Sequence, residues 1–103
     1  MVEGRTKEAI APLEKAAKLA PDNAYCRLRL GTAYLRTGQF DGAHRELEKA
    51  TQIDPESAAA HYQLGRLYKE THAMDLAKAE FERTAELQAR SAASSQAVPS
   101  HQP

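Results

Sequence analysis

The chain lacks a surplus of charge of either sign: 14 basic residues meet 14 acidic ones over 103 positions. That balance argues against a generic nucleic-acid or membrane-surface binder, which carries an excess of positive charge. Cysteine is almost absent. With Cys26 alone no internal disulfide can form, and the thiol says nothing about compartment. No stretch approaches the roughly 18 apolar residues of a membrane-spanning helix. Residues 1–7 hold no apolar run of the secretory kind, which by itself points to the cytoplasm, although a start in mid-pattern leaves localisation open. No window alternates apolar and polar residues for long, so strands are not expected.

Motifs for chemistry are missing as well. There is no Gly-rich phosphate loop, no zinc-type HExxH and no nucleophile elbow. His44 and His61 fall on different predicted helices, His72 in a turn and His101 near the end, with no metal-ligand spacing among them. Cys26 has no neighbouring base to activate it and reads as a buried thiol. The expectation is a protein without catalysis, metal or cofactor.

What the chain does have is a period. Leu30-Gly31-Thr32-Ala33-Tyr34 returns as Leu64-Gly65-Arg66-Leu67-Tyr68, an offset of 34 residues. Ala43 returns as Ala77, Leu47 as Phe81 and Pro21 as Pro55; one step earlier, Ala9, Leu13 and Ala16 precede Ala43, Leu47 and Ala50. A period of this length marks a stacked repeat whose units bury their apolar faces only against neighbours.

Periodicity and punctuation place five helices. The first covers residues 7–19, with Ile10, Leu13, Ala16 and Ala17 on one face, and Pro21 stops it. Pro12 is expected to start that helix late or to kink it. Asn23 caps a second helix over residues 24–36, and Gly38 suits the left-handed position after it. Asp41 opens a third, running to residue 53; Ser57 caps a fourth over residues 58–70; Asp75 opens a fifth, over residues 75–88. Residues 91–103, rich in Ser, Ala, Gln and Pro, offer too little to bury and are expected to be a disordered tail.

A glycine inside a helix costs about 0.8–1.0 kcal/mol relative to alanine. The second and fourth helices both accept that cost, at Gly31 and Gly65, and close approach of a neighbouring helix accounts for it. Leu30, Tyr34, Leu64 and Tyr68 supply bulk beside the glycines. Ala43, Leu47, Ala77 and Phe81 are the matching residues on the partner helices.

These residues resemble the tetratricopeptide repeat, with its 34-residue period and its W-x2-L-G-x2-Y, A-x3-F, P pattern. Arg27 and His61 stand where that family often has Trp, Thr84 where it has Ala, and Ala89 where it has Pro. The resemblance implies an all-α solenoid of antiparallel helix pairs, wound into a right-handed superhelix whose first helices line a concave groove. The repeat domain would cover residues 1–90: a partial unit over 1–23, then units over 24–57 and 58–91. If Gly4 is the counterpart of Gly38, residues 1–3 would end a helix that is otherwise missing.

The same resemblance implies a groove lined by Tyr25, Leu28, Arg29, Thr32 and Arg36 from one unit and by Tyr62, Gln63, Arg66 and Lys69 from the next. The groove-side helices hold Arg27, Arg29, Arg36, Arg66 and Lys69 against Glu70 alone. Arginine offers a fixed fork of donors, which suits an acidic peptide or a terminal carboxylate. Some family members grip chaperone tails, but Leu28 and Thr32 occupy places where Lys and Asn would be expected, so that activity is not implied. The expected function is a protein-interaction scaffold, with a protein or peptide as partner and neither nucleic acid nor membrane. Two alternatives are a recruitment or regulatory segment of a larger enzyme and a self-assembling fragment. The second follows from apparently uncapped ends, where Leu76, Ala79 and Leu87 would face outward.

Overall fold

In a computed structural model the backbone is described for residues 2–97 and the side chains for residues 5–93. Five helices follow one another: α1 (Val2–Leu19), α2 (Ala24–Arg36), α3 (Phe40–Ile53), α4 (Ala58–Glu70) and α5 (Met74–Ala97). No strand occurs among the described residues. Each helix packs on the next, and α2 also touches α4, so the first helices of successive pairs lie side by side. The radius of gyration is 15.6 Å, against about 13 Å for a compact domain of this length. The chain is therefore an all-α solenoid.

Local chemistry repeats with the period. The Asn23 Oδ1 accepts a hydrogen bond from the Cys26 N–H at 3.0 Å, and the Ser57 Oγ accepts one from the Ala60 N–H at 3.2 Å. Each satisfies a donor left over at a helix start. The ends of α2 and α4 close alike. Gly38 has φ +80° and His72 φ +64°; the Gln39 and Ala73 N–H groups then donate to the Tyr34 and Tyr68 carbonyls, both at 2.8 Å. Those bonds are the six-to-one closure of a Schellman cap.

The core runs through the stack. Leu47 is wholly buried and lies against Gly31, where a Cβ would come within 2.6 Å of its Cγ. At Gly65 a Cβ would come within 2.5 Å of the Phe81 ring. Close approach at both glycines is thus a property of the fold. Leu67 and Ala60, which the period alone did not single out, are buried just as deeply.

Several expectations are corrected. α1 begins at Val2 rather than residue 7 and runs through Pro12, and Gly4 sits inside it rather than ending an earlier helix. The carbonyl that Pro12 leaves without an amide partner belongs to the exposed residue Glu8, where water can serve it. α5 continues to Ala97, into the expected tail. Alanine, a strong helix former, recurs in that stretch, and residues 91–93 are exposed. Residues 98–103, including His101, lie outside the described residues. Leu87 is buried, whereas Leu76 and Ala79 face outward. Cys26 is only half-buried.

Candidate functional site: a basic cleft between the first three helices of the groove

A cleft of about 540 Å³ opens where α1, α2 and the start of α4 meet. α2 gives it Leu28, Arg29, Thr32, Ala33 and Arg36; α4 gives Ala59 and Gln63; α1 gives Arg5, Thr6, Ala9 and Leu13. The helical repeat explains the α2 set, since positions three and four apart share a face. The floor is apolar, from Ala9, Leu13, Leu28 and Ala33, and the rim carries Arg5, Arg29 and Arg36.

No carboxylate among the described residues lines this cleft. Among the described residues none of the three rim arginines makes an ion pair. Arg29 instead lies over the Tyr25 ring, its Cζ 5.7 Å from the centroid, which steadies the guanidinium without neutralising it. The Gln63 Oε1 is buried with no hydrogen-bond partner. A polar atom in that state costs stability unless a ligand supplies the missing bond.

The structure brings together five of the nine groove residues expected from sequence: Leu28, Arg29, Thr32, Arg36 and Gln63. Tyr25 stands at the rim through Arg29. Tyr62, Arg66 and Lys69 stand apart. The Tyr62 ring packs against Phe81, with centroids 5.8 Å apart. Arg66 is exposed elsewhere. Lys69 lines a second, apolar concavity of about 560 Å³ with Met74, Ala77 and Phe81. Arg27 is not free for a ligand: its Nη1 meets the Glu46 Oε1 at 2.7 Å and its Nε donates to the Pro21 carbonyl.

The α1 wall was missed because the groove was assigned to the first helix of each pair. Ala9 and Leu13 were legible as counterparts of Ala43 and Leu47, which are wholly buried, yet here they line the cleft. Among the described residues no group of three His, Cys, Asp or Glu side chains gathers as a metal site. No described helix is long and apolar enough to cross a membrane.

Stacked helix pairs with a 34-residue period define a helical-repeat protein. The tetratricopeptide repeat profile matches residues 2–51 and again 38–98, and the chain belongs to the tetratricopeptide repeat family. Proteins of this class are interaction scaffolds. No match was found among curated protein sequences. Among solved structures the chain is similar to "MamA MSR-1 C2", at 29% identity and a TM-score of 0.79 over 87% of this chain. It is also similar to "MamA 41-end from Desulfovibrio magneticus RS-1", at 28% identity and a TM-score of 0.78 over 84%. The chain spans 51% of the first of these structures and 49% of the second, about half their length.

Proposed function

We propose that this chain is a protein-interaction scaffold, acting without catalysis, whose basic cleft takes an acidic peptide or an acidic segment of a partner protein. The observation that carries this reading is the rim of Arg5, Arg29 and Arg36 around an apolar floor, with no carboxylate among the described residues to neutralise it. A partner that brings carboxylates gains charge-assisted, forked hydrogen bonds while its apolar side chains cover Leu13 and Leu28. A free C-terminal carboxylate meets the same donors.

The test is fluorescence anisotropy with a glutamate-rich peptide, as free acid and as amide. Affinity should fall as salt rises. Arg29→Glu should weaken binding about tenfold, or ~1.4 kcal/mol, and Glu82→Lys on α5 should change it little. Equal effects of the two substitutions would end the reading. A second reading, self-assembly, is favoured by the opposite end of the stack, where Met74 and Leu76 are 56% and 54% exposed. Light scattering that shows a monomer at high concentration would dismiss it. The chain also suits the recruitment segment of a longer protein, since it spans half of the structures it matches.

A further inference from the structure

The two full units fasten the start of their first helix with different donors. In the first, Arg27 Nη1 meets Glu46 Oε1 at 2.7 Å and Nε donates to the Pro21 carbonyl at 3.1 Å. A guanidinium carries N–H at both places and keeps its charge throughout the range in which proteins fold. In the second, His61 Nδ1 lies 2.6 Å from Glu80 Oε1 and Nε2 lies 2.8 Å from the Pro55 carbonyl. A carbonyl only accepts, and so does an ionised carboxylate. A neutral imidazole has one N–H, so it serves one of them and turns a lone pair toward the other. Both contacts hold together only when the His61–Glu80 pair carries one extra proton. The two side chains are 13% and 23% exposed, which leaves little room for water to replace a lost bond.

We propose that this clasp is a proton-operated fastener, present in the second unit alone. One proton on the His61–Glu80 pair ties the start of α4 both to α5 and to the preceding turn, and its departure releases one of those ties. The fastened segment also carries Ala59 and Gln63 of the cleft wall. Other titratable groups lie on the elements packed around it. They are His44 and Glu48 on α3, Tyr68 on α4 and, in the turn, Asp54 and Glu56, the last 3.7 Å from Arg90 of α5. Glu80 and Glu48 both act on the Tyr68 phenol, so two carboxylates border this interface. Of the groups around His61, His44 alone also changes charge between pH 6 and 8, and it needs a control.

The test is amide exchange by NMR on the full chain at pH 6 and pH 8, corrected for the intrinsic hydroxide-catalysed rate. The His61 amide, bonded to the Ser57 carbonyl at 3.1 Å, reports on the second clasp. The Arg27 amide, bonded to the Asn23 carbonyl at 3.2 Å, reports on the first. The clasped state holds a proton that the opened state releases sooner, so opening grows easier as pH rises. Corrected exchange at His61 should rise about fivefold from pH 6 to pH 8, while that at Arg27 stays constant. His61→Arg should abolish the rise, with circular dichroism confirming the fold. Glu80→Gln should abolish it too, because the amide donates to Nδ1 while a neutral ring donates from Nε2 to Pro55. His44→Gln should leave the rise intact. A flat rate at His61, an equal rise at Arg27, or a rise that survives in either clasp variant would overturn the proposal. Loss of the rise in His44→Gln would place the switch at His44 and overturn it equally.

Discussion

The two complete units, α2–α3 and α4–α5, hold the same polar contact with different chemistry. In the first, Arg27 reaches Glu46 at 2.7 Å and the Pro21 carbonyl at 3.1 Å. In the second, His61 Nδ1 lies 2.6 Å from Glu80 Oε1 and Nε2 lies 2.8 Å from the Pro55 carbonyl. Every partner is displaced by 34 residues. The clasp ties the start of one helix to its partner helix and to the preceding turn, at the place where the family often has Trp. Arg27 and Glu46 side chains are 13% and 7% exposed, so removing one partner would leave a buried charge. The lesson is that the repeat keeps a geometry, and residue type may vary wherever the atoms still reach.

The units differ in what lies beyond them. The first is covered on both sides, by α1 and by α4. Among the described residues the second is covered on one side only, and its Phe81 borders an open concavity. Leu35, buried in the first unit, becomes Lys69 in the second, so part of that outer face has already turned polar. Side chains there have room to move, and this should decide how each unit tolerates the same insult. Gly31→Leu forces atoms against Leu47, which is wholly enclosed and whose backbone nitrogen would lie only 3.2 Å from the new Cβ. The expected loss is ~4 kcal/mol. At Gly65 the three atoms nearest a new Cβ all belong to the Phe81 ring, which can swing toward the concavity, and Gly65→Leu should cost about half as much. Urea melts of both variants measure the difference. Equal losses would mean that the open end is as rigid as the middle.

The tyrosines sharpen the same contrast at high pH. The Tyr34 hydroxyl donates to the Glu14 carboxylate of the preceding helix. Its counterpart, Tyr68, has no direct bond to Glu48, the residue equivalent to Glu14. It lies 3.3 Å from His44 Nε2, which is itself 3.5 Å from Glu48. Burial, with help from the Glu14 hydrogen bond and charge, raises the Tyr34 pKa to about 12. Tyr68 moves up as well, through burial and the charges of Glu80 and Glu48. An unfolded tyrosine ionises near pH 10, so the folded state holds more protons between pH 10 and 12. Stability is therefore complete below pH 10 and falls as pH rises through that window, by on the order of 2 kcal/mol for Tyr34. Tyr34→Phe should flatten most of the fall in denaturation midpoints between pH 9 and 11.5, and Tyr68→Phe less of it. An unchanged slope in Tyr34→Phe would locate the alkaline transition elsewhere.

Much of the fold was legible because the period samples each constraint twice. Gly31 with Leu47 and Gly65 with Phe81 could be read as a close approach from composition and spacing alone, as could the caps at Asn23 and Ser57. The clasp was not. Arg27 and His61 share no charge pattern or volume, so nothing in the letters announced that both reach a carboxylate and a proline carbonyl. The α1 side of the cleft was missed for a different reason. Arg5 and Thr6 belong to a helix whose expected start lay beyond them, at residue 7, whereas the helix begins at Val2. The run of α5 to Ala97, past its expected end, was hidden in the same way.

The smallest expected effect concerns a turn position where the units share a backbone conformation but not a residue type. Gly38 takes φ +80° without strain, because glycine has no Cβ to meet the neighbouring carbonyl. His72 fills the same place with φ +64°, a conformation that costs an L-residue about 1–2 kcal/mol. Glycine at this position relieves that cost but adds freedom to the unfolded chain, so the net gain is smaller than the strain. His72→Gly should raise stability by about 0.5–1 kcal/mol, and Gly38→His should lower it by a similar amount, since the Schellman bonds on either side are the same. No Cβ contact lies within 4 Å of Gly38, so packing does not confound that exchange. If His72→Gly destabilises, the His72 side chain must hold the α4–α5 turn by contacts worth more than its backbone strain, and the two turns would then be alike in outline only.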